Sequence, residues 1–378
     1  MSDDSRAGSP LTLKPDFEET KRRWEAFWNQ EIIDRPCICI RCPAEHRLRS
    51  PSPHRCPNED AEPAERPAYT MEAHADLDDA AAQIDTYVHS IYWGGDAMPH
   101  YSPSFGPDQF AGFLGAEIEW SRDQEMRTSW AVPLVERWED ALPLTIEEDN
   151  YWWLRMIELM ETLAKVAEGK WLVSHIDLHS NMDALVGIRG ATPLCLDLYT
   201  NTELVAQAND QVRDLYPLVY DTLHYAGAMD RAGAITAWLP AYHEGKCQTT
   251  QCDFAALVGP AHFREFILPD LEAEAEHLDR SIYHWDGPDA LVHLEALCGI
   301  EALDCIQWTP GAGAKPFIEW MDLLVEVQKR GKSLYVGSSV EQLPEFHKHL
   351  EPNKVFYNVT AADREELERT LKWLVKNT

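Results

Sequence analysis

Apolar and polar positions along the chain alternate between two periods. Phe17, Trp24, Phe27 and Trp28 recur at near-helical spacing between Asp16 and Gln30, which predicts an amphipathic helix. Pro36-Cys37-Ile38-Cys39-Ile40 is a short apolar run and predicts a buried strand. From Met71 to Tyr92 the pattern is helical again. Strands are then predicted over 170–177, 233–239, 281–286, 303–308 and 333–337. Helices are predicted over 202–227, 260–279, 290–299, 317–330 and 364–375. Residues 1–15 are polar and are expected to be loose. Residues 43–68, rich in Pro, Arg and Glu, read as a surface loop insertion without a core of its own.

Such a βαβα rhythm predicts an α/β fold with a parallel sheet and helices outside it. Short apolar strands that each end in polar or Gly-rich turns suit a single (β/α)8 TIM-type barrel, here with an N-terminal helical extension and spanning residues 16–378. The runner-up is a doubly wound open sheet. No strand leads into G-x-G-x-x-G or a Walker loop, so no nucleotide cofactor is expected. Gly311-Ala312-Gly313 reads as a tight turn.

Composition narrows the function. The 33 Lys and Arg against 64 Asp and Glu give a net charge of −31, which leaves no surplus for a large basic face. Nucleic acid and anionic membrane surfaces are therefore not expected partners. With 45% hydrophobic residues and 14 Trp, a large packed core is expected rather than disorder. No apolar run reaches the ~18–20 residues of a membrane span. The start, Met1-Ser2-Asp3-Asp4-Ser5-Arg6, lacks the apolar core of a signal peptide. Nine cysteines, an odd number in a large chain, fit free thiols in a cytoplasmic setting better than a disulfide scaffold.

A barrel places its chemistry just past the C-terminal strand ends. His175, Asp177 and His179 follow one strand at intervals of two, which on a strand puts all three on one face. The next strand leads to Tyr242-His243-Glu244, then Gln251-Cys252-Asp253. Another ends in His284-Trp285-Asp286. His284 and Asp286 point the same way there, and can share a metal ion, pair as acid and base, or serve one to orient the other. An isolated H-x-D is more often structural, so the weight lies in the convergence of several strand ends. Gln307 and Trp308 can offer an amide contact and an aromatic wall to a ligand.

Three stretches taken together resemble the uroporphyrinogen decarboxylase superfamily. They are Gln251-Cys252-Asp253-Phe254 with Pro260-Ala261-His262-Phe263-Arg264-Glu265-Phe266, then Tyr283-His284-Trp285-Asp286-Gly287-Pro288, then Gln307-Trp308-Thr309-Pro310-Gly311. Within that superfamily the chain resembles a bacterial branch near the corrinoid-dependent methyltransferases. The resemblance implies one TIM-type barrel and either of two activities, decarboxylation of uroporphyrinogen or zinc-dependent methyl transfer with a methylcobamide.

The decarboxylase proper needs several arginines for a substrate with eight carboxylates. Its arginine-bearing motif is absent, and the first strand offers Arg41 alone. The methyltransferases imply an H-x-C pair where this chain has His284-x-Asp286, so Cys252 is the expected third ligand beside them, and the set is harder than a zinc-thiolate site. The leading expectation is thus a corrinoid-linked, metal-dependent methyltransferase acting on a small methylated substrate, with a corrinoid-binding protein as partner. Catalytic candidates are His284, Asp286, Asp253, His243 and Glu244; Asp177, His179, Gln307 and Trp308 would line the substrate pocket. The alternatives are a metal-free decarboxylase or lyase on a small carboxylic acid, and a catalytically silent binding barrel.

Overall fold

A computed structural model of the protein describes residues 11–44, 69–121, 128–311 and 313–378. The 43–68 insertion falls outside these residues except for its first two positions. Strands occur in the order β1 (Cys37–Pro43), β2 (Ile91–Gly95), β3 (His100–Tyr101), β4 (Ile118–Trp120), β5 (Ser129–Ala131), β6 (Leu172–Val173), β7 (Ala234–Ile235), β8 (Tyr242–His243), β9 (Cys247–Gln251), β10 (Arg280–Asp286), β11 (Cys305–Thr309), β12 (Ser333–Ser338) and β13 (Val355–Thr360).

The main sheet has the order β2-β1-β13-β12-β11-β10-β9. Its strands from β9 through β13 to β1 run parallel, and only β2 is antiparallel. β3 and β6 form a second parallel pair. Single hydrogen bonds carry the wall onward: the His175 N–H donates to Ile235 O, and the Gln248 amide donates to Ile176 O. The fold is an α/β barrel of the TIM type; among the described residues the hydrogen-bonded ladder does not run all the way round.

The helix Phe17–Trp28 forms as its aromatic spacing predicts, and it plugs the N-terminal end of the barrel. Trp24 and Phe27 pack on Phe356 of β13, and the Trp28 indole donates to Tyr242 O. Residues 11–15, expected loose, are pinned here: Lys14 is 1% exposed and its ammonium donates to Gly95 O. The last helix, Arg364–Asn377, presses on β2, where a Cβ at Gly94 would fall 2.7 Å from Leu367. A larger residue there would force the Leu367 side chain to shift.

Several predicted elements shift. The helix expected over 71–92 breaks at Ala75, restarts at Leu77 under an Asp76 cap, and ends at His89. Ile91–Gly95 is then strand β2. The strand expected over 170–177 shrinks to Leu172–Val173, because the chain leaves the wall early to build the site. β13, Val355-Phe356-Tyr357-Asn358-Val359-Thr360, is a full central strand that periodicity did not single out. No disulfide joins the described cysteines.

Candidate functional site

Strand alternation decides which side chains reach the barrel interior. On β10, His284 and Asp286 face inward, while Trp285 between them is fully buried against the outer layer. Gln307 lies beside His284 in the β10–β11 register. Its Oε1 meets His284 Nδ1 in a short contact and its Nε2 donates to Thr309 Oγ1 at 3.0 Å. In this orientation of the amide, His284 Nδ1 carries the proton and Nε2 keeps a lone pair. Trp238 stands edge-on to the His284 ring at 5.6 Å and remains 37% exposed, so it forms an accessible wall of the mouth.

On β9, Gln251 faces inward and donates to Asp177 Oδ1 at 2.5 Å. Cys252 therefore faces outward. It is 3% exposed, and its Sγ lies 3.7 Å from Asp183 Oδ1. It does not join His284 and Asp286. The residue beside them is Asp253: ligand-type atoms of Asp253, His284 and Asp286 all lie within 4.8 Å of one another. Asp286 Oδ1 is buried with no hydrogen-bond partner among the described residues.

Asp253 also belongs to a second group, with His179 and Asp183, whose atoms lie within 4.8 Å of one another. The expected face of His175, Asp177 and His179 does not form. His175 is turned outward and stacks on Tyr220 at 4.2 Å. His179 and Asn181 adopt left-handed φ values of 43° and 54°, which ends the alternation and swings the His179 ring back toward Asp177 at 3.6 Å.

Charge is concentrated here. Burial alone would lower the His179 pKa, but the carboxylates of Asp177, Asp183, Asp253 and Asp108 outweigh it and push it up to about 9. Burial pushes Asp177 up to about 6 against the pull of His179 and His284. Burial likewise raises Asp286, with His284 opposing and Asp253 adding to the rise. Asp183 is raised by burial and by Asp253, although two backbone N–H groups hold it down.

Two other expected residues lie outside the mouth. Trp308 is 2% exposed and packed between Trp285 and Trp320, on the outward side of β11. It lies outside the mouth, which Trp238 lines instead. His243 and Glu244 lie at the opposite, N-terminal end of the barrel, where Glu244 pairs with Lys21 and His243 packs on Trp28. Asp183, Trp238 and Glu274 were not singled out from the sequence. Ser180-x-x-Asp183 has the pattern of a capping box, which could have flagged the helix Asn181–Arg189. Neither side chain caps that helix, because both are engaged elsewhere.

The chain shares its fold with a methyltransferase from Methanosarcina mazei, at a TM-score of 0.60 over 94% of this chain and 98% of that one. Sequence identity is 12%, so the likeness carries the fold and leaves the chemistry to the residues. No family model matches the chain, and no curated protein does. No helix among the described residues is long and apolar enough to cross a membrane.

Proposed function

We propose that the chain is a metal-dependent methyltransferase for a small methylated substrate, linked to a corrinoid carried by a partner protein. One observation carries the reading: Asp253, His284 and Asp286 converge at the barrel mouth, and Asp286 Oδ1 is buried there without a hydrogen-bond partner among the described residues. A buried carboxylate oxygen lacking a donor is costly unless a cation or a proton satisfies it. Two carboxylates and an imidazole fit a borderline-to-hard divalent ion better than a thiolate site would. These three residues would hold the metal, which supplies Lewis acidity to the heteroatom bearing the methyl group.

The chain's own groups supply the rest. Gln307 fixes the His284 tautomer, so that Nε2 is the available nitrogen. Trp238 gives the substrate an apolar wall. His179, protonated among its carboxylates, is a proton source beside Asp253. Asp108, Asp177, Asp183, Asp253 and Asp286 make this side of the mouth unsuited to a polyanionic tetrapyrrole acid.

A metal-free lyase acting on a small carboxylic acid is the second reading. It is favoured by Asp177, whose carboxyl titrates near pH 6 and can hold a proton next to the cavity. Metal analysis of untagged protein separates the two. The methyltransferase reading expects close to one equivalent of divalent metal, lost in His284→Ala, and methyl transfer from a methylated cobamide. Metal far below one equivalent, unchanged in His284→Ala, overturns it in favour of the lyase.

A further inference from the structure

Glu274 lies on the helix Leu268–His277, behind the site, and is 2% exposed. Its Oε1 accepts two hydrogen bonds from the turn that follows β6, from Ser180 Oγ at 2.7 Å and Asn181 Nδ2 at 3.0 Å. The same Asn181 amide donates to Gln251 O at 2.9 Å, which ties the turn to the end of β9. Glu274 Oε2 is buried and has no partner among the described residues. The turn it grips contains two non-glycine residues in left-handed backbone, His179 and Asn181. Such backbone in non-glycine residues persists where its surroundings over-determine it.

We propose that Glu274 is a positioning residue, clasping the left-handed turn at 179–181 from behind and so holding His179 beside Asp253. It touches none of the residues proposed to hold the metal. The clasp works with a proton on Oε2. Burial, opposed by the Ser180 and Asn181 hydrogen bonds and reinforced by Asp270 and Asp183, pushes the Glu274 carboxyl up to about 8. The ionisable groups facing it are Asp270 on its own helix, Asp183 on the helix Asn181–Arg189, Tyr216 on the helix Thr202–Ala226 and Tyr283 on β10. No cation contacts Glu274 among the described residues; Arg213 pairs with Asp270 instead. Ionising Glu274 would thus place an uncompensated charge behind the turn.

The test uses the full chain with Glu274→Gln and Glu274→Leu, read first by hydrogen exchange of residues 177–186. Gln reproduces the shape and acceptor of the protonated acid, so its exchange should match wild type. Leu should speed exchange of this segment about tenfold or more while the rest of the barrel stays protected. A group whose pKa is raised on folding stabilises fully below its unfolded value and loses the effect as pH rises from there to the folded pKa. Protection of 177–186 in wild type should therefore fall between about pH 4.5 and pH 8 and level off above that, and Glu274→Gln should make that fall shallower. The second reading is Co2+ affinity, expected to drop about tenfold in Glu274→Leu and to be retained in Glu274→Gln.

If Glu274→Leu does not fold, Ser180→Ala combined with Asn181→Ala removes the same hydrogen bonds from the other side and carries the same expectation. Unchanged exchange of 177–186 in Glu274→Leu, or in that double variant, overturns the clasp. Only the Co2+ arm rests on the proposed metal site. A wild-type protein that binds no Co2+ defeats the metal reading alone, and the clasp is then decided by exchange.

Discussion

The Asp183 carboxylate accepts the backbone N–H of Asp253 at 2.8 Å, and its second oxygen accepts that of Phe254 at 2.9 Å. The residue common to both ligand-type groups is thus set in place through its backbone by a buried side chain from another segment. Removing the acceptor leaves one buried and one partly buried donor unpaired. Asp183→Ala should cost about 2–4 kcal/mol in chemical denaturation. It should also weaken Co2+ binding, whereas a surface change such as Glu365→Ala should alter neither.

The proposed ligand set and the sequence-based one differ at a single residue. Asp253→Ala, His284→Ala and Asp286→Ala should each abolish stoichiometric metal by elemental analysis. Cys252→Ser should retain it, because its sulfur faces Asp183 rather than His284. A loss of metal in Cys252→Ser with retention in Asp253→Ala would reverse the assignment.

Acid should unfold the protein through two buried histidines remote from the proposed ligands. Burial pushes His175 down to about 3 and His100 down to about 4, so both are neutral in the folded chain. Unfolded, they take up protons near pH 6.5. Stability is therefore complete above about pH 6.5 and falls as pH drops below it, by up to about 1.4 kcal/mol per pH unit for each histidine. The loss stops only when the folded forms protonate. Thermal melts from pH 7 to about pH 4 should show this limb, and His175→Gln should make it shallower.

A buried ion pair holds the start of β1. Asp96 is fully buried, pairs with Arg35, and accepts the Ile38 N–H at 2.9 Å. Asp96→Ala leaves the Arg35 guanidinium buried without its counter-charge. It should cost about 3–5 kcal/mol, read as a shift in the denaturation midpoint.

Legibility from sequence followed the reach of local pattern. The N-terminal helix, β10 and β11 were readable because their periodicity is undisturbed and their contacts are mostly with one layer. His284, Asp286 and Gln307 came with them, since strand alternation alone turns these residues inward. The same rule, carried past the last paired residue, misplaced His175: the chain leaves the wall after Val173, and left-handed backbone at His179 and Asn181 resets every direction. Cys252 and Trp308 were misassigned by one step of the alternation, which depends on knowing which neighbour lies inside. Glu274 and Asp183 were invisible because their partners are 94 and 70 positions away in sequence. His243 and Glu244 follow a predicted strand, but that strand doubles back as a hairpin and delivers them to the other end of the barrel.

The alternation in His284-Trp285-Asp286 also bears on how this gene can vary. Substitution at one position disturbs either the chemistry inside or the packing outside, and leaves the other intact. Deleting or inserting one residue within 280–286 exchanges the two faces, so an indole would enter the cavity and the imidazole and carboxylate would enter the apolar layer. The segment should therefore accept many point changes while remaining closed to single-codon gaps. A deep mutational scan that includes indels would show this as a band where length, more than identity, is constrained.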